Sequence, residues 1–155
     1  MLTFILVPMQ EDRYKVDTSF DLTTFEFTSE GPKGEIKKVV VYSEINLKDV
    51  YNHAFADKDP ITGFLNDFTI TNNKDSQKVL ATVAATIYAF TEERPTALIV
   101  ATGSTAARTR LYRMGITNNL ESIIEDFDVF GLMENKWEAF RKNITYEAFL
   151  VRRKL

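Results

Sequence analysis

Residues 75–105 read DSQKVLATVAATIYAFTEERPTALIVATGST, and this stretch decides the fold. Asp75 suits a helix N-cap, because its carboxylate can accept from the free backbone N–H groups of a first helical turn. Behind it Val79, Leu80, Val83, Ala84, Ile87 and Phe90 make a broad apolar face, and Lys78, Thr82 and Thr86 a thin polar stripe. The spacing predicts one helix to about Arg94, stopped by Pro95. A helix so apolar around its circumference packs on two sides, which makes it the central helix and its threonines structural. Thr96 to Thr102, with Ala97-Leu98-Ile99-Val100-Ala101 inside it, predicts a strand buried on both faces. Gly103-Ser104-Thr105 breaks that strand and opens a second helix, on which Ala107, Leu111 and Met114 share a face.

Toward the N-terminus, Thr24-Phe25-Glu26-Phe27-Thr28 alternates at period two, as a half-buried strand does. Gly31-Pro32-Lys33-Gly34 has turn chemistry, and the β-branched run from Ile36 to Ile45 completes a predicted hairpin. Tyr51-Asn52-His53-Ala54-Phe55 is expected as a short helical turn, Asp57-Lys58-Asp59-Pro60 as a loop, and Phe64 to Thr71 as a third strand. Toward the C-terminus, helix is expected over Leu120 to Asp126 and strand over Phe127 to Met133. A short amphipathic turn at Trp137 and Phe140 and a last strand from Tyr146 to Val151 follow. The order β-β-β-α-β-α-β plus a C-terminal strand implies an α+β mixed sheet, antiparallel in the hairpin and parallel across right-handed crossovers. In element order it resembles a ribonuclease H-like fold. No linker or repeat divides residues 1–155, read as a single domain with residues 1–12 as an N-terminal extension or edge strand.

Composition narrows the chemistry. The 155 residues are 45% hydrophobic and 26% charged, with a formal net charge of −3. Cys is absent, which removes disulfides, thiolate metal sites and a Cys nucleophile. A single His leaves little room for Ser-His catalysis or a multi-His metal site. Met1 to Met9 is too short to span a bilayer and lacks a basic flank, so the expectation is a cytoplasmic protein without membrane contact.

The candidate site is Gly103, Ser104, Thr105, Arg108, Arg110, Tyr112 and Arg113. A strand running into a Gly-Ser-Thr turn at a helix N-terminus offers unpartnered N–H groups and hydroxyls to an anion. From Arg94 to Leu120 there are four Arg and no Asp or Glu. Lys33, in the hairpin turn, extends such a site if the two turns lie together. The simpler alternative is that Ser104 or Thr105 caps the helix and the arginines are solvated or paired with Glu121 and Glu125. At 100° per residue Arg110 and Arg113 fall on one side of the apolar stripe, and Arg108 and Tyr112 on the other. The turn is no Walker A loop, since no Gly-Lys-Ser/Thr follows. It also lacks the Asp-x-Asp pair of minimal nucleotidyltransferases. Asp57, Asp59 and Asp67 are the carboxylates that a metal would need, against which stands ordinary Asx-turn chemistry at Asp57 and Asp59.

From about Arg13 to Lys154 the chain resembles an uncharacterised family of small bacterial proteins. The resemblance is carried by Ser29-Glu30-Gly31-Pro32-Lys33-Gly34, by Tyr51 to Phe55, by Lys78-Val79-Leu80-Ala81-Thr82-Val83 and by the Gly103 to Arg113 run. It implies no activity and no cofactor. The leading expectation is a non-enzymatic binding protein for a phosphate-bearing ligand, with nucleic acid as the polymeric form and Tyr112 as a stacking face. The alternatives are a metal-dependent nuclease or phosphoryl-transfer enzyme using Asp57, Asp59 or Asp67, and a protein-interaction module with a small operon partner.

Overall fold

The computed structural model describes residues 2–4 as backbone and residues 12–66, 72–103 and 105–155 in full. Its elements are β1 (Leu2–Phe4), β2 (Val16–Thr18), β3 (Thr24–Gly31), β4 (Gly34–Glu44), β5 (Val50–Lys58), β6 (Leu65–Asn66), α1 (Ser76–Glu93), β7 (Leu98–Ala101), α2 (Ala106–Asn118), α3 (Leu120–Asp126), β8 (Phe127–Met133), β9 (Lys136–Ala139) and β10 (Ala148–Arg153). Among the described residues all the strands join one sheet in the order β1-β2-β3-β4-β5-β7-β10-β8-β9, with β6 paired to the end of β5. The α+β class and mixed sheet expected from the sequence are what the structure has.

The hairpin β3–β4 closes through Pro32 and Lys33, with Gly31 opposite Gly34 and Gly34 at φ 87°. β5 then runs antiparallel to β4 and parallel to β7, and α1 is the crossover between β5 and β7. The second strand–helix–strand passage differs from the expected parallel neighbours. β10, the last strand, inserts antiparallel between β7 and β8, so these two are separated. Element order leaves such an insertion open, and with it the ribonuclease H-like comparison has only that order behind it.

Two segments fold differently from expectation. Tyr51 to Phe55 is the middle of strand β5, where Tyr51, His53 and Phe55 alternate toward the helices and Asn52, Ala54 and Ala56 away. The polar Asn52 and His53 concealed a period of two. Trp137 lies in strand β9, which follows β8 across a tight turn with Glu134 and Asn135 at φ 51° and 64°, the backbone that a two-residue hairpin requires. Of the strand expected over Phe64 to Thr71, Leu65–Asn66 is strand β6, and residues 67–71 lie outside the described residues.

The three helices cover one face of the sheet. Tyr42 of β4 stacks on Phe90 of α1 (4.1 Å, 11°), and its hydroxyl meets Thr86 Oγ1 at 2.7 Å. Thr82 accepts the Tyr14 N–H at 2.9 Å and donates to the Lys78 carbonyl at 2.7 Å, so the threonine stripe is structural. Most of α1, from Val79 through Thr86 and again over Tyr88–Thr91, is buried, as a central helix is. Strand β7 is less enclosed than expected: Ile99 is buried under the helices, whereas Leu98 and Val100 are half-buried on the other face. That face carries Glu26 between Lys37 (3.7 Å) and Lys58 (3.4 Å). No helix is long and apolar enough to cross a membrane among the described residues.

Candidate functional site

The predicted site begins where β7 leaves the sheet. Ser104 lies outside the described residues. Thr105 is the N-cap of α2, in extended backbone, and its hydroxyl accepts the Arg108 N–H at 3.2 Å. Gly103 is required by close packing. A Cβ there would fall 2.2 Å from the Thr109 nitrogen and 2.5 Å from its hydroxyl, so the first turn of α2 leaves no room for a side chain.

Helix α2 is also rotated relative to its apolar stripe. The residues it buries are Arg108 and Tyr112, 2% and 7% exposed, while Ala107 and Met114 are exposed and Leu111 half-buried. Arg108 spreads its guanidinium over Phe55 at 5.5 Å, and Tyr112 meets the His53 ring edge-on at 5.4 Å. The aromatic side chains of β5 thus receive a planar cation and a phenol at i and i+4, which pack on rings as well as aliphatic groups do. Tyr112 is therefore no stacking face for a base, and the buried Arg108 is withdrawn from any surface ligand.

Arg110 and Arg113 remain outside. A hollow of about 630 Å³ is lined by Thr105, Thr109, Arg110, Arg113, Thr145 and Glu147, among others. Arg113 Nη1 donates to Thr145 Oγ1 at 3.2 Å across it. Arg110 also borders a second hollow of about 320 Å³, with Lys38, Asn73 and Ser76 on its far wall. Neither Glu121 nor Glu125 forms an ion pair with these arginines among the described residues, so the expected pairing is absent there. The structure brings together Gly103, Thr105, Arg110 and Arg113 from the predicted set. Lys33 lines neither hollow; its backbone N–H is held by Asn73 Oδ1 at 2.7 Å, and Asn73 lines the second one.

Two of the three candidate metal carboxylates are otherwise engaged. Asp57 pairs with Lys38, which is 3% exposed. Asp59 accepts the N–H groups of Ile61 and Thr62, both at 2.8 Å, and these bonds to Thr62 and Ile61 hold its carboxyl below the usual range. Asp67 lies outside the described residues. Among the described residues no group of three His, Asp or Glu side chains is arranged to hold a metal ion.

Two features escaped sequence reasoning. Asp75 occupies the N-cap position but makes no cap bond; it accepts instead from Tyr14 at 2.7 Å and Ser29 at 2.5 Å. Burial, then the Asp75 bond, raise the Tyr14 phenol above its ordinary value. The other is His53, 2% exposed, whose burial pushes its pKa down to about 4, with the nearby Arg108 charge acting the same way. Both partnerships join residues far apart in the chain, and no local pattern signals them.

A family model matches residues 10–154 of the chain. The chain belongs to DUF6934, a family of unknown function. All four segments that carried the resemblance fall within the match. No curated protein and no solved structure matches the chain. Membership in DUF6934 supplies no activity, so function has to be argued from the chemistry of the site.

Proposed function

We propose that the protein binds a phosphate-bearing ligand, nucleic acid included, in the hollow beside the N-terminal half of α2. One observation carries this. Arg110 is exposed on the ridge between two hollows and engages no hydrogen bond or ion pair among the described residues, with Arg113 three residues on and the hydroxyls of Thr105, Thr109 and Thr145 around them. Guanidinium groups bind phosphate by paired, charge-assisted hydrogen bonds, and hydroxyls fill the remaining oxygens. Glu147 is the one carboxylate on that wall, and it bounds rather than fills the site. The ligand is held by its phosphate alone, because Tyr112 is turned inward; the protein therefore discriminates poorly among base sequences.

The test is a ¹⁵N-labelled protein titrated with inorganic phosphate and then with a short RNA. Shifts centred on Thr105, Thr109, Arg110, Arg113 and Thr145 are expected from both. Shifts absent from those residues with both probes would overturn the proposal. Among the described residues no group of carboxylates is arranged as the metal-dependent alternative needs, and Asp67 lies outside them. The protein-interaction alternative keeps one: Ile61, Phe64 and Leu65 are exposed side by side in the chain, Ile61 at 93%. Loss of a co-purifying partner in a Phe64→Ser variant, with phosphate binding intact, would favour it.

A further inference from the structure

The cavity under α2 is a second, unrelated site. Its floor is the sheet, with His53, Ile99 and Phe149, and its roof is Leu80 of α1 with Gly115 of α2 and Ile123 of α3. Its volume is about 60 Å³, and it is partly open to the surface. The His53 ring stands edge-on to Tyr42 (5.1 Å) and to Tyr112 (5.4 Å). Among the described residues neither its Nδ1 nor its Nε2 has a hydrogen-bond partner on another residue, although the residue is 2% exposed.

A neutral imidazole has one N–H to give and one lone pair to fill, and buried polar atoms nearly always find partners. Here the Tyr42 hydroxyl is occupied by Thr86, and the walls around His53 are almost wholly carbon. Such walls exclude a charged ligand, because nothing would replace its hydration. The size is also restrictive. An apolar cavity of about 150 Å³ takes benzene, whereas one water needs roughly 10–15 Å³. The space under α2 therefore fits a molecule of a few heavy atoms.

We propose that this cavity binds a small neutral alcohol, its hydroxyl paired with His53 and its carbon body against Leu80, Ile99 and Ile123. A hydroxyl both donates and accepts, so it serves His53 in either tautomer. The site does not depend on the arginine hollow.

The experiment follows the ring signals of His53 and Tyr112 by NMR in the full chain while methanol, an alcohol small enough for about 60 Å³, is added, with xenon as a purely apolar probe. Saturable shifts at both rings are expected with methanol. In His53→Phe the methanol affinity read at Tyr112 should fall at least tenfold, while xenon still binds. Should that variant not fold, Gly115→Ala is the second test. Gly115 itself lines the cavity, so its new methyl group takes up part of the space, 3.1 Å from Leu80 Cδ2, and the methanol affinity should fall with the fold intact. Shifts that rise without saturating, or an affinity unchanged in Gly115→Ala, would overturn the proposal. Either result leaves phosphate binding at Arg110 unaffected.

Discussion

At position 75 a carboxylate stands where helix N-caps are rich in Asp, yet it turns away from the helix toward Tyr14 and Ser29. The two arrangements predict different energetics. A lost cap costs about 1 kcal/mol and couples to no distant residue. Two hydrogen bonds to a partly buried carboxylate are worth more, about 1.5–3 kcal/mol each before solvent exposure reduces them. Asp75→Ala is therefore expected to destabilise by about 2–3 kcal/mol in urea unfolding, and a double-mutant cycle with Ser29→Ala should show a coupling of about 1 kcal/mol. A coupling near zero would return Asp75 to a capping role. His53 gives a second test at this scale. Its folded pKa of about 4 lies below the ordinary 6.5, so the unfolded chain takes up a proton that the native one refuses. Stability from this group is present in full above pH 6.5 and falls as pH drops toward 4, by on the order of 3 kcal/mol from the shift itself. The groups facing His53 are Arg108 and Tyr112 of α2 and Tyr42 of β4, and Arg108 reinforces the effect. His53→Phe should flatten the difference in unfolding free energy between pH 7 and pH 5.

Helix α2 is the element whose setting matters most, and its approach to the sheet is fixed at Gly103. Gly103→Ala would press a methyl group into the Thr109 backbone at 2.2 Å, so destabilisation at or beyond the upper end of about 1–3 kcal/mol is expected in thermal or urea unfolding. A neutral Gly103→Ala would mean that α2 is free to shift, and the orientation of Arg110 with it. The existence of α2 was legible in the sequence, as were the β3–β4 hairpin, α1, α3 and β8, because each carries a local period or a turn residue of defined geometry. Its rotation was not. Periodicity ranks Ala107, Leu111 and Met114 as the buried face, since it scores carbon and not ring contacts. The aromatic surface offered by Phe55 and His53 reverses that choice, and both belong to a strand that the sequence disguised. The same blindness applies to the candidate site: its own turn points to Thr105, Arg110 and Arg113, whereas the inward placement of Arg108 and Tyr112 depends on residues more than fifty positions away.

On the scale of the whole molecule, the sheet sorts its chemistry to two faces, and α2 divides its own residues between interior and surface. The acidic total hides this arrangement, because the net charge of −3 is set by the N-terminal half. Residues 1–77 hold 8 basic and 13 acidic side chains and residues 78–155 hold 11 and 9. Affinity for a polyanion should therefore be modest and strongly salt-dependent, with repulsion from the acidic half felt most at low ionic strength. The measurement that bears most directly on the phosphate site is fluorescence anisotropy of a labelled short RNA across a salt series, with wild-type protein, Arg110→Ala and Arg113→Ala. Binding is expected to weaken linearly in log–log form as salt rises, with each variant removing about one phosphate contact from the slope and both affinities falling for every sequence tried. Binding that is absent at low salt, or that survives with an unchanged slope in Arg110→Ala, would contradict the account.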